Sequence, residues 1–171
     1  MAEEMRKITV EKVTVNMGIG NAPEEMKKAQ QIIEKITGCR AKQTLCRIKL
    51  PKWDIRPGLP IGLKVTMRGQ KAIEFLKRAL AAKENQLKKN NFDHRGCFGF
   101  GIAEYIDLPG TKYDPVLGIR GFDVLVTLTR PGFRIKKRKI KSAKVGKKHL
   151  ISREDSLEFM KKNFGIEVLE K

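Results

Sequence analysis

The chain has 171 residues, 40% of them hydrophobic, which suits a compact domain with a real core and argues against global disorder. Lys and Arg number 37 against 19 Asp and Glu, a formal net charge of +18, and a folded chain bears such self-repulsion most easily beside a polyanion such as nucleic acid. No apolar run is long enough to span a bilayer, no signal peptide is expected in "MAEEMRK", and Cys39, Cys46 and Cys97 lack the spacing of a disulfide framework or a zinc site.

The first element read from the residues is a strand, into which "MAEEMRK" leads directly. In "ITVEKVTVNMGIG" (Ile8 to Gly20), Val13, Val15, Met17 and Ile19 share one parity, while Lys12, Thr14, Asn16 and Gly18 share the other. Successive side chains of a strand point to opposite faces, so this segment is dry on one side and polar on the other. "NAPEEMKKAQQIIEKITG" follows as a helix. Asn21 is its expected cap, Pro23 and two glutamates suit its first turn, Met26, Ala29, Ile33 and Ile36 mark its apolar side, and Gly38 stops it.

"AKQTL" (Ala41 to Leu45) reads as a short strand, and "RIKLPKWDIRPGLP" (Arg47 to Pro60), with three prolines, as a long irregular loop. "IGLKVTMRG" then alternates cleanly. Ile61, Leu63, Val65 and Met67 fall on the dry face; Gly62, Lys64, Thr66 and Arg68 fall on the other. A second helix is expected in "QKAIEFLKRALAA", where Ile73, Leu76 and Leu80 keep helical spacing, and a polar loop in "KENQLKKNNFDHRG".

"CFGFGIAEYI" is a further strand, with Phe98, Phe100 and Ile102 on one face and Cys97, Gly99, Gly101 and Ala103 on the other. "FDVLVTLTR" follows a connection ending near "PVLGIRG" and alternates again, Phe122, Val124, Val126 and Leu128 against Asp123, Leu125, Thr127 and Thr129. Arg130 to His149 holds ten Lys or Arg and no acid. "SREDSLEFMKKNFG" closes as a helix capped by Ser152, with Asp155 standing in for the usual Glu of a capping box and Leu157, Met160 and Phe164 on its apolar side.

These elements predict an α+β fold: an antiparallel sheet with helices packed on one face and a basic extension near the C-terminus. One domain is expected over 1–171, with a basic segment at 130–149 and a C-terminal helix at 152–165. The three cysteines read as reduced thiols that serve as small buried hydrophobes.

The face turned away from the helices would carry Lys12, Thr14, Asn16, Lys64, Thr66, Arg68, Thr127 and Thr129, with Asp123 the main acidic exception. Lys and Arg neutralise phosphates, while Thr and Asn donate to phosphate or sugar oxygens. A solvated strand face looks similar in isolation, but the agreement of three strands with the global charge favours a surface for nucleic acid. In the basic segment Arg134, Lys136, Lys137 and Arg138 are candidate phosphate ligands, although such a run also fits a solvated tail. "RGCFGFGI" resembles the aromatic octamer of RNA-recognition motifs, where aromatics stack on bases, but Phe98 and Phe100 read better as core. Trp53 either packs as a lid or offers a contact surface, with Lys52 and Arg56 beside it. His94 next to Asp93 is the one pairing that suggests acid–base chemistry, and no nucleophile, phosphate loop or metal cluster accompanies it. No enzyme, cofactor or metal is expected.

Five stretches together resemble one family, the universal large-subunit ribosomal protein L5 in its archaeal/eukaryotic form. They are "VEKVTVNMGIG" (Val10 to Gly20), "IRPGLPIGLKVTMRG" (Ile55 to Gly69), "FDHRGCFGFGIAEYIDLPGTKYDP" (Phe92 to Pro115), "GIRGFDV" (Gly118 to Val124) and "RPGF" (Arg130 to Phe133), in the family's order. The resemblance implies an α+β domain that docks on 5S rRNA, meets large-subunit rRNA and helps attach the 5S rRNA to the central protuberance, in a cytoplasmic ribosome. It implies further partners: P-site tRNA, a protein of the small-subunit head across an intersubunit bridge, and other central-protuberance proteins, with no membrane. The rRNA-facing positions that match are Lys12, Asn16, Gly18, Lys64, Thr66 and Arg68. The tRNA-proximal ones lie in Pro51 to Gly58, among them Lys52, Trp53, Arg56, Pro57 and Gly58. Two rivals stand beside this reading: an RNA-processing enzyme using His94 and Asp93, and an architectural DNA-binding protein.

Overall fold

The protein is described by a computed structural model covering residues 2–169. In chain order it contains α1 (Ala2–Arg6), β1 (Thr9–Gly18), α2 (Pro23–Thr37), β2 (Lys42–Leu45), β3 (Pro60–Met67), α3 (Gln70–Ala81), β4 (Gln86–Lys88) and β5 (Phe98–Ile102). β6 (Phe122–Thr129), α4 (Arg134–Lys137), α5 (Arg153–Phe164) and β7 (Glu167–Leu169) complete it. Five strands make one antiparallel sheet in the order β2-β3-β1-β6-β5. The fold is therefore the expected α+β arrangement.

Alternation decides which face is dry. Val13, Val15 and Met17 of the central strand are at most 1% exposed, and they face the same layer as Leu63, Val65, Met67, Val124, Val126 and Leu128. Two amphipathic helices cover that layer. α2 contributes Met26, Ala29, Ile32, Ile33 and Ile36, and α3 contributes Ala72, Phe75, Leu76, Ala79 and Leu80. Ile73, expected in the core, sits half-buried at the rim because its neighbours Ala72 and Leu76 take the inward positions. Each fully buried aliphatic or aromatic side chain of this kind contributes roughly 1.5–3 kcal/mol.

α5 extends the same core through Met160, and its start matches the capping box. Ser152 Oγ accepts from the Asp155 N–H at 3.1 Å, while the Asp155 carboxylate accepts from the Ser152 N–H at 3.0 Å. Gly165 ends the helix in the left-handed conformation, φ 62°.

Several expectations need correction. A short helix, Ala2–Arg6, precedes the first strand. The cap of α2 is Ala22, not Asn21, and it makes no side-chain bond; Pro23 at the first position supplies the helical φ instead. The segment after α3 is not all loop, since Gln86–Lys88 pairs in parallel with Glu167–Leu169. Of the cysteines only Cys46 is buried, while Cys39 and Cys97 are half-buried.

Gly96 shows how α5 is fitted to the sheet. The buried Ser156 hydroxyl donates to the Gly96 carbonyl at 3.0 Å. A Cβ at Gly96 would lie 2.4 Å from Ser156 Oγ and 2.5 Å from Ile151 Cγ2, at a φ of +73° that side chains rarely adopt. Gly96→Ala should therefore cost about 2–4 kcal/mol in urea-induced unfolding, from left-handed strain plus overpacking. Gly110→Ala, at φ +85° but in open space, should cost only about 1–2 kcal/mol. Equal costs would show that the Ser156 and Ile151 contacts are not tight.

Candidate nucleic-acid interface

On the second face of the sheet the strand register sorts the side chains into rows. Lys42 lies opposite Lys64, Lys64 opposite Asn16, and Asn16 opposite Asp123. The next row runs Thr66, Thr14, Leu125 and Gly99. Lys64, Thr66, Arg68 and Gly18 are exposed, while Lys12, Thr14, Asn16, Thr127 and Thr129 are half-buried among their neighbours. The predicted residues of β1 and β3 thus stand side by side on one surface. Lys42 joins them, which alternation alone did not reveal because the register of β2 is not written in its four residues. Two exposed lysines directly opposite each other repel, a cost of a few tenths of a kcal/mol to about 1 kcal/mol that a bound phosphate would remove.

A bulge shapes the far end of this face. Val10 pairs with Leu128, but the next partner, Thr127, faces Lys12, so Glu11 is the extra residue. The bulge switches the parity of the strand: Ile8 and Val10 pack on the core before it, Val13 and Val15 after it. Glu11 then reaches both cationic elements. Its carboxylate accepts a hydrogen bond from Lys137 and lies 3.4 Å from Arg68 Nη1. Burial pushes the Glu11 carboxyl up, but the Lys137 and Arg68 bonds and the charge of Lys12 outweigh it and hold the group below its ordinary value. Glu11 was missed in the sequence, where the three-residue spacing from Val10 to Val13 is its signal.

The basic segment is a closed loop and not a free tail. At its base, Arg130 donates to the Asp155 carboxylate at 3.0 Å and to the Leu150 carbonyl at 3.2 Å. His149 Nε2 lies 2.8 Å from the Pro131 carbonyl, and the His149 ring meets Phe133 edge-on at 5.7 Å between centroids. Between these anchors Arg134, Ile135, Lys136 and Lys137 form one helical turn, and Arg138 donates to the Lys141 carbonyl at 2.6 Å. Arg134, Lys136 and Arg138 stay exposed.

The proline-rich stretch is likewise more ordered than an irregular loop. Leu50 and Ile55 exchange backbone bonds of 2.9 and 3.2 Å, and Cys46 accepts the Gly58 N–H at 2.9 Å while donating to Leu59 at 2.8 Å. Pro57-Gly58, with Gly58 at φ +87°, makes the turn between. The result is a narrow finger that projects Lys52, Trp53 and Arg56. Trp53 is 65% exposed and so is not a lid.

Phe98 and Phe100 lie on the dry face and are buried, which removes them from base stacking. His94 is exposed, its backbone N–H bonded to the Asp93 carboxylate at 2.8 Å, in a plain turn. Among the described residues no group of three or more His, Cys, Asp or Glu could hold a metal ion, and no helix is long and apolar enough to cross a membrane.

Two family sequence models match this chain. "Ribosomal protein L5" covers residues 3–56, and the model of the C-terminus of the same ribosomal protein family covers 60–164. Relatives with the same description, large ribosomal subunit protein uL5, align over nearly the whole chain. The one from Sulfurisphaera tokodaii is 46% identical over 97% of this chain and 94% of its own length. That from Nanoarchaeum equitans is 44% identical over 99% and 100%, and that from Methanococcus aeolicus 45% over 97% and 93%.

The carboxylates that hold the basic loop give it a defined response to acid. Burial raises the Asp155 carboxyl, but the Ser152 bonds and Arg130 more than offset this, so it too is lowered. A lowered carboxyl contributes stability that is complete above its unfolded value, 4.5 for Glu11 and 3.8 for Asp155, and lost as pH falls through the folded one. Melts taken from about pH 6 to pH 2.5 should show Tm falling most steeply below about pH 4. Asp155→Asn should melt lower than wild type at neutral pH and lose less on acidification; a parallel curve would contradict the role of Asp155.

Proposed function

The chain belongs to the ribosomal protein L5 family and is a structural constituent of the large ribosomal subunit, and on that premise we propose that the open face of its sheet binds 5S rRNA and helps attach it to the central protuberance. The family is a structural one and the chain is not an enzyme. The observation that carries the proposal is the row in which Lys42 and Lys64 face each other, exposed, on a surface that also holds Arg68, Lys12, Thr14, Thr66 and Asn16. Such a row gains stability when phosphates intervene, and the hydroxyls and amide beside it suit sugar and phosphate oxygens. A-form grooves hide base edges, so selectivity would come from RNA shape and 2′-hydroxyls more than from base contacts.

Arg134, Lys136, Lys137 and Arg138 extend the same surface through the basic loop. The Trp53 finger, with Lys52 and Arg56, reaches toward P-site tRNA. The connection that leaves Tyr113, Val116 and Ile119 exposed supplies apolar surface for a protein of the small-subunit head. The chain works as one domain, a reading supported by a single sheet that takes β1 and β2 from the first matched segment and β3, β5 and β6 from the second.

A salt-titrated binding assay tests the sheet face, with an unrelated folded RNA and duplex DNA as competitors. Wild type should prefer 5S rRNA. Lys64→Ala/Arg68→Ala should bind at least tenfold more weakly, with a salt slope shallower by about 1–2, since each phosphate contact contributes about 0.7–0.9 to it. Equal affinity for all three nucleic acids would leave only a generic polycation.

The finger has a separate test. Trp53→Ala should leave thermal stability within about 0.5 kcal/mol, as expected of an exposed side chain, and leave 5S rRNA binding intact. Large subunits carrying it should hold P-site tRNA less well; unchanged tRNA retention would remove the finger from that role.

A further inference from the structure

We infer that Glu11 is a positioning residue: its bulged carboxylate ties the basic loop to the sheet and so sets two groups of cations in one fixed spacing. The inference rests on the proposed RNA surface and concerns how that surface is held before RNA arrives.

An acid in the middle of a cationic face would ordinarily weaken polyanion binding. The geometry around Glu11 is different. Its side chain is only 16% exposed, whereas those of Arg68 and Lys137, which it bonds, are 61% and 55% exposed. The carboxylate is therefore the covered layer and the two cations lie above it, each with N–H donors left for a second anion. Lys137 belongs to the loop and Arg68 follows β3, so one carboxylate joins elements far apart in the chain. The bulge is what makes this possible, because the extra residue leaves the ladder at that point. At its base the loop is closed by Arg130, Asp155 and His149, and Glu11 adds a tie to the sheet away from that base, at Lys137. A loop closed at its base and tied again at Lys137 loses less freedom on binding than a tail of the same charge.

Charge and positioning predict opposite signs for one substitution, which makes the inference testable. Glu11→Gln raises the net charge by one, so a pure polycation would bind RNA more tightly. If Glu11 sets the spacing, the affinity of Glu11→Gln for 5S rRNA should fall at least fivefold. In the free protein, amide exchange over residues 134–138 should speed up severalfold while that of 13–17 stays at the wild-type rate. Glu24→Gln, the same charge change on exposed α2, should match or slightly exceed wild type in affinity. Unchanged exchange at 134–138, or an affinity equal to that of Glu24→Gln, would overturn the inference. Faster exchange at 13–17 would signal general unfolding; Glu11→Asp, which keeps the charge, should then recover affinity, and its failure to do so would also overturn it. Failure of wild type itself to prefer 5S rRNA would instead strike the proposed function, and the exchange rates would still decide whether Glu11 ties the loop.

Discussion

β1 must satisfy two environments along ten residues, and the rest of the molecule is arranged around that demand. Its inward side chains are almost wholly removed from water, which requires helices on that side, and α2 and α3 are the two segments whose apolar stripes are wide enough. Its outward side chains stay polar, which forbids a second layer of helices there. Because β1 lies in the middle of the five-stranded order, both neighbours inherit the same division. A one-residue slip of β3 or β6 against β1 would carry Lys64 or Asp123 inward, so the dry layer also fixes the register that lines up Lys42, Lys64 and Asn16.

How legible this was depends on the range over which each feature is encoded. Period-two alternation in "IGLKVTMRG" and "FDVLVTLTR" and the Ser152–Asp155 pair are local, and the structure has them where the residues predict. The partnership of Gln86–Lys88 with Glu167–Leu169 was not legible, because three-residue strands carry no period and parallel pairing joins segments some eighty residues apart in the chain. Asn21 is a good cap by composition, but Pro23 moved the start of α2 so that Ala22 took the position. For the site, Lys64, Thr66 and Arg68 could be assigned from parity. Lys42 needed a register, and Glu11 needed the broken parity between Val10 and Val13 to be noticed. Trp53 was ambiguous because proline-rich sequence says that a segment is not helical without saying whether it folds against the domain.

Electrostatic repulsion and hydrophobic burial divide the chain between them. The core is continuous from the sheet through α2, α3 and α5, and among the described residues it contains one buried polar side chain, Ser156, which is hydrogen-bonded. The excess cations sit elsewhere: on the open face, on the finger and in the loop between Arg130 and Leu150. Among the described residues Glu11 and Asp155 pair with cations of the loop, and both are engaged in fixing it. Repulsion is therefore concentrated where an anion would relieve it and does not reach the packing that holds the fold.

The sheet is open, and its two outer strands, β2 and β5, each present a row of backbone groups that another chain could extend. β2 is short, carries Lys42 and is followed by the finger; β5 is capped at its start by the bridge between Phe92 and Phe98. Its middle carries glycine at 99 and 101, with no side chains to shield the edge. The +18 charge opposes such joining, because it repels a second molecule over a distance of roughly 8–10 Å at moderate salt. The cations proposed to hold RNA thus also oppose pairing of two unassembled copies through their open edges. That repulsion is strongest while the surface is bare and fades as it is neutralised.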